Sequence, residues 1–298
     1  KGEELTEMGE LLESGARALS DDGRCIQNAD LMRRAFEYAR LFNFTVISHC
    51  EDVNLSRNGV MNESFISTKL GLVGIPKAAE EIIAARDIQL AEFTNSSLHI
   101  AHISSAYSVE LVRQAKRRGV KVTAEVTPHH LLLDESLVDG FDTNTKINPP
   151  LRGMEDRVAL LKGLKDGTID CIASDHAPHA RSDKEMEYDR AAFGIVGLET
   201  SISVVLTKLV NEKKITLNEM IEKFTSKPAK ILNLDKGTLQ KGKDADITVL
   251  DAAKKSVIDP VAFLSKSKNT PFAGWDVKGM PVMTVVGGKV VMDGGKII

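Results

Sequence analysis

Residues 169–179 read IDCIASDHAPH, in which six mainly apolar residues suited to a buried strand run straight into a knot of Asp, two His and Pro. A helical pattern, Glu155 to Leu164, comes just before it, so the order is helix, strand, polar strand end. Working back towards the start, the same order recurs. Ser105 to Arg118 is helical and Val120 to Val126 strand-like, followed by Thr127-Pro128-His129-His130. Lys77 to Phe93 precedes the strand pattern Leu98 to Ile103, and Ala29 to Phe42 precedes Phe44 to Ser48, which His49-Cys50-Glu51-Asp52 closes. Glu3 to Gly15 precedes Ala16 to Ser20, which ends in Asp21-Asp22-Gly23. Strands separated by helices imply a parallel sheet, and polar residues gathered after the strands imply a site at its carboxyl edge.

A (β/α)8 TIM-type barrel fits this pattern best. A doubly wound open sheet would bury such strands equally well, but its mark is a glycine-rich phosphate turn after the first strand, and none is present. Five strands fall short of eight, so the expectation is an incomplete barrel, about strands 4 to 8, over residues 1–235. From about Gly237 the texture changes to short β runs joined by Gly and Asp turns, GTLQKGKDADITVLD and VMTVVGGKVVMDGGK. Residues 236–298 are therefore expected to form a small C-terminal β appendage.

Composition narrows the function. Lys and Arg number 39 against 42 Asp and Glu, and the two signs are interspersed, which argues against nucleic acid and anionic lipid and leaves a small-molecule substrate as the partner. No apolar run approaches the ~18 residues of a membrane span, and the first residues are amphipathic and acidic rather than signal-like, so a cytoplasmic location is expected. Cys25, Cys50 and Cys171 lie far apart without CxxC spacing, which points to reduced thiols.

Of seven histidines, His49, His129, His130, His176 and His179 fall at or just beyond strand ends, with His102 near another. Imidazole and carboxylate projecting from several strand ends can bind a divalent ion and leave a position for water, as hydrolytic metal sites require. Strand alternation predicts that His99 and His102 point to opposite faces, with His102 the better ligand and His99 packed or solvated. By the same rule Cys50 points away from His49 as a structural thiol. Asp21 and Asp22 compete for one role, and a plain Asp-Asp-Gly turn is an equal alternative.

The ordered set SDDG (20–23), HCED (49–52), IAHIS (100–104), INPPLR (147–152) and SDHAPH (174–179) resembles the bacterial type I dihydroorotases of the amidohydrolase superfamily. The similarity runs to the end of the chain, where GTLQKGKDADITVLD looks like that superfamily's C-terminal β motif. The resemblance implies a zinc-dependent enzyme that interconverts L-dihydroorotate and N-carbamoyl-L-aspartate in pyrimidine biosynthesis. It also implies that His49 and His102 hold one zinc, that Asp22 bridges it to a second, and that Asp175 binds the second and acts as general base and acid. Asn148 and His179 would lie beside the substrate, with the loop around Phe193 and Gly194 touching it through backbone groups, although the loop's glycines read equally well as a hinge. His176 would stand behind the ligands, while His129 and His130 receive no role.

An aspartate bridge separates this pattern from hydantoinases and many allantoinases, which place a carbamylated lysine at that strand end; ARALSDDG offers none. The family's first strand ends in His-x-His, which this sequence lacks. The expectation is thus a chain without the N-terminal part, which holds at most one of the two zinc ions well and is inactive alone. Two alternatives stay open: another cyclic amidohydrolase of hydantoinase or allantoinase type, and a non-catalytic dihydroorotase-like scaffold subunit of aspartate transcarbamoylase. The resemblance also allows a homodimer or a complex with that transcarbamoylase.

Overall fold

The computed structural model describes residues 2–298. Its first half runs α1 (Met8–Glu13), β1 (Ala18–Ser20), α2 (Ala29–Leu41), β2 (Thr45–Ser48), α3 (Val53–Ser56), β3 (Met61–Asn62), α4 (Phe65–Leu70), β4 (Gly74–Ile75), α5 (Ala78–Thr94) and β5 (Ser97–Ile100). Then come α6 (Ala106–Arg117), β6 (Val122–Val126), α7 (Pro128–Leu132), α8 (Met154–Asp166), β7 (Cys171–Ile172), α9 (Arg181–Lys184), α10 (Ser201–Val205), α11 (Leu217–Phe224) and α12 (Ser226–Ile231). Four strands close the chain: β8 (Ile247–Val257), β9 (Asp276–Val286), β10 (Lys289–Asp293) and β11 (Lys296–Ile297).

Five strands form one parallel sheet in the order β1-β2-β5-β6-β7. Neighbours in the sheet follow chain order without the reversal that defines a doubly wound fold. The register places Ser20, Ile47, His99 and Thr123 in one row across four strands, and their flanking residues Leu19, Val46, Leu98 and Val122 in the next, on the opposite face. That second face carries the core: Val46, Leu98, Ile100, Val122, Ala124 and Val126 pack with Phe36, Ala84, Ile88, Val109, Val112 and Leu160 of the covering helices. The helices form where apolar spacing meets a cap. In α2, Met32, Ala35, Phe36 and Ala39 share one buried stripe, and the Asn28 side chain accepts from the backbone N–H groups of Asp30 and Leu31.

Several expected elements are shorter in the structure. The helix expected from Glu3 begins at Met8, because of residues 3–13 only Met8 is fully buried and little holds the approach in helical form. The strand expected over Ile169–Ser174 keeps ladder pairing only at Cys171 and Ile172, after which the chain turns its polar residues towards the sheet edge. Residues 53–77, where the sequence pattern offers no element, fold into an excursion in which β3 and β4 pair with each other. The C-terminal strands form a separate antiparallel sheet, β11-β10-β9-β8. Its β9 packs against α10, and Gly279 is needed there because a Cβ would come within 2.8 Å of Leu206.

Candidate metal centre

The carboxyl ends of β1, β2 and β5 deliver Asp22, His49 and His102 to one place. His49 Nδ1 lies 3.0 Å from His102 Nε2 and 3.2 Å from Asp22 Oδ1, and His102 Nε2 is 3.7 Å from the same oxygen. Metal–ligand bonds of ~2.0–2.1 Å put tetrahedral donors about 3.3 Å apart, so these three atoms fit around a single small divalent ion. Their chemistry also fits one, with two buried imidazoles and a carboxylate. The group is strongly cation-seeking. Burial alone would lower His49, but Asp22 and Glu51 push it up to about 10, and the two histidines hold Asp22 far below the usual carboxylate range.

The turn after β1 separates the two aspartates. Asp21 is the structural one: it accepts the backbone N–H of Ile26 and that of His49, each at 2.9 Å, and so pins the next strand end. Asp22, one residue on, is left to face the histidines. On the other side of His49, Nε2 lies 3.0 Å from Glu51 Oε2, and Asn148 Nδ2 donates to that oxygen at 2.9 Å. Asn148 thus stands beside the three-donor group, and Glu51 is a site residue that the sequence reading left without a role. Its place two residues beyond His49 in HCED was the available signal.

The expectation that His99 and His102 occupy opposite faces is corrected by the structure. His99 is buried on the same face as Thr123, Glu125 and Cys171, with Nδ1 2.8 Å from Thr123 Oγ1 and Nε2 3.2 Å from Glu125 Oε2. His102 lies beyond the end of β5 with φ +32°, so the two-residue alternation no longer governs it, and its side chain returns to the site. Glu125 connects the two, because its other oxygen accepts the His102 backbone N–H at 3.4 Å. Burial would raise the Glu125 carboxyl, but His99 and His102 hold it low. Cys50 behaves as expected, buried with its thiol against Ser48.

Asp175 follows β7 at φ +45° and stands outside the tight group of three. Burial raises its carboxyl first, Asp22 and Glu125 push it the same way, and His102 and His49 oppose them, so it shares the electrostatic field of the site. The segment after it folds back on itself. His176 Nδ1 accepts the N–H of Gly197 at 3.2 Å, and His179 Nε2 lies 2.6 Å from the Phe193 carbonyl oxygen. Gly194 sits at φ +128° where a Cβ would come 2.5 Å from that of Ala177 and 3.1 Å from His179 Nε2, so glycine here serves close packing and not only a hinge. His130 supports the Asn148 loop: Thr127 Oγ1 is 2.8 Å from its Nδ1 and the Pro149 carbonyl 2.9 Å from its Nε2.

The "Dihydroorotase" of Pelotomaculum thermopropionicum is 56% identical over 292 residues, covering 98% of this chain and 68% of that protein. The "Dihydroorotase" of Syntrophus aciditrophicus is 55% identical over 291 residues, with 98% and 68% covered. Among solved structures, the L-hydantoinase from Arthrobacter aurescens superposes with a TM-score of 0.87 at 28% identity, over 98% of this chain and 68% of that one. A dihydropyrimidinase from Brevibacillus agri has the same TM-score of 0.87 at 21% identity, over 99% and 69%, and speaks for the fold alone. The sequence model of the Amidohydrolase family matches residues 3–291, and with relatives above 50% identity across nearly its whole length the chain belongs to that family.

Proposed function

We propose that this chain acts as a dihydroorotase, opening the cyclic amide of L-dihydroorotate to N-carbamoyl-L-aspartate and, in reverse, closing it. The observation that carries the reading is the convergence of Asp22, His49 and His102 from three strand ends, with Asn148 and Asp175 beside them, in a chain whose relatives bear that name. Zinc is the proposed ion, held by those three residues, and the five parallel strands are proposed to be the later strands of a (β/α)8 barrel, with residues 236–298 as its β appendage. When bound, the ion would supply acidification of water and polarisation of the amide carbonyl.

The protein's own groups do the rest. In hydrolysis a water oxygen adds to the ring amide carbon, the C–N bond breaks, and the leaving nitrogen needs a proton. Asp175, raised by burial, suits a group that takes the water's proton and passes it to that nitrogen. Asn148 and His179, with the backbone of Phe193 and Gly194, are proposed to hold the ring so that its carbonyl faces the metal centre. Glu51 orients His49 and Asn148 together through its shared oxygen.

Because the chain is expected to be inactive alone, the test supplies the family's first strand with its His-x-His to the zinc-loaded protein and offers dihydroorotate, hydantoin and allantoin in turn. Dihydroorotate should be hydrolysed fastest, and Asp175→Asn should slow turnover by roughly 10²–10⁴-fold. A preference for hydantoin, or turnover that survives Asp175→Asn, would overturn it.

A further inference from the structure

Arg152, the last residue of INPPLR, is buried at 4% exposure, as are Glu80 at 3% and Ser104 at 0%. A guanidinium and a carboxylate taken out of water are tolerated only when their hydrogen-bonding groups are met. Here they meet through a hydroxyl. Arg152 Nε donates to Ser104 Oγ at 3.1 Å, and Ser104 Oγ donates in turn to Glu80 Oε2. Arg152 Nη1 donates to Asn62 Oδ1 and to the Ile75 carbonyl, each at 2.9 Å, which anchors it to the β3–β4 excursion. Glu80 completes its own set by accepting the backbone N–H groups of Ser104 and Ser105 at 3.1 Å.

The two ends of this relay lead to different parts of the centre. Ser104 is two residues beyond His102, whose backbone is held at φ +32°, and fixing the Ser104 and Ser105 amides keeps that stretch from relaxing outward. Arg152 is four residues beyond Asn148, whose amide reaches Glu51. The serine hydroxyl has one hydrogen to give and lone pairs to receive, so the direction guanidinium to hydroxyl to carboxylate is the one that satisfies all three groups. The residues also come from the start of α5 and from the segments after β5 and after α7, which lie far apart in sequence and which Asp156 joins as well by pairing with Lys77 and accepting the Ala106 N–H.

We propose that Glu80, Ser104 and Arg152 are positioning residues that tie the metal-binding His102 to the substrate-facing Asn148, so that metal retention and substrate affinity change together. This rests on the reading of His102 as a ligand and Asn148 as a substrate contact. Outer partners of metal ligands are typically worth ~10–100-fold in affinity, and a bridge of this kind acts on both ligands of the reaction at once.

The test uses the whole chain with cobalt(II) in place of zinc, because its visible absorption reports ligand geometry. Ser104→Ala deletes one oxygen and leaves the backbone bonds to Glu80 in place. It should shift the cobalt spectrum, weaken metal retention against a chelator by roughly 10-fold, and weaken dihydroorotate binding measured by calorimetry. Arg152→Lys keeps the charge but lacks the Nε–H, and should behave like Arg152→Met. A folded Ser104→Ala protein with an unchanged spectrum and unchanged dihydroorotate affinity, or with only one of the two altered, would overturn the bridge, whether or not the Arg152 variants fold. His102→Ala and Asn148→Ala serve as controls. If they leave metal retention and dihydroorotate binding unchanged, the underlying site reading fails; if they reduce them while the bridge variants do not, the bridge alone fails.

Discussion

His102, in the three-donor group, and Asp175, beside it, stand on backbones at φ +32° and +45°, a region that costs a residue with a Cβ of order 1–3 kcal/mol. Such conformations persist when the surroundings hold them. For His102 the hold is visible in the amides around it: its own N–H bonds Glu125, and those of Ser104 and Ser105 bond Glu80. Gly194 shows the opposite solution, a residue that avoids the cost by having no Cβ. With φ at +128° and Ala177 at 2.5 Å from a built Cβ, Gly194→Ala should cost roughly 1–3 kcal/mol of stability, and it should also weaken dihydroorotate binding by moving the Phe193 carbonyl off His179. Urea unfolding and calorimetry measure the two effects. A stability change within about 0.5 kcal/mol would mean that the loop yields freely.

At the scale of elements, α7 is five residues long and buries two histidines in succession. Burial pushes His130 down to about 3 and His129 well below the usual histidine range. Between the folded value and the unfolded 6.5, the unfolded chain binds more protons, so stability is fully present above pH 6.5 and is lost as the pH falls. Each residue should contribute up to about 1.4 kcal/mol per pH unit to that loss. His130 holds Thr127 and Pro149 through its two ring nitrogens, whereas His129 Nε2 has no hydrogen-bond partner among the described residues. His129→Leu should therefore be neutral or stabilising near neutral pH and should remove about half of the acid loss attributed to α7. Denaturant titrations above and below pH 6.5 would show it; an unchanged acid slope would mean that His129 titrates in the folded protein.

For the whole molecule, an ion held by Asp22, His49 and His102 would cross-link three strand ends, and an ion that binds only the folded chain stabilises it by mass action. At a free zinc concentration of about 100 times its dissociation constant the gain is about 2.7 kcal/mol. Chelation should lower the melting temperature by roughly 5 °C, and the loss should be reversed by zinc. Direct metal analysis should find one tightly held ion per chain: of the two three-donor groups among the described residues, Asp22, His49 and His102 meet at the strand ends with Asp175 outside the group, whereas in His99, Glu125 and Cys171 both ring nitrogens of His99 are already bonded, to Thr123 and Glu125. A melting temperature indifferent to chelation would remove the metal from the structural account of this centre.

The alternation of helix and strand patterns, and the polar residues crowding each strand end, were legible in the chain because both follow from local periodicity. So were the strand ends that carry His49, His102 and the Asp21–Asp22 pair, since a residue at the carboxyl end of a parallel strand has few other places to go; the preference for Asp22 came only from the resemblance to the dihydroorotases. Periodicity failed where the chain leaves the ladder. It set His99 and His102 on opposite faces by counting residues, while a left-handed backbone one turn beyond β5 undid the count. The choice between Asp21 and Asp22 was equally out of reach, because it depends on which of two adjacent carboxylates finds the amides of Ile26 and His49. Glu80 and Glu125 read in sequence as ordinary charged residues, and Glu51 and Arg152 as motif residues without a role; only long-range packing buries or half-buries the four against the centre. Strand ends are specified by the sequence nearby; the hydrogen-bond partners that orient what stands on them come from residues tens of positions away, and those pairings exist only in the folded chain.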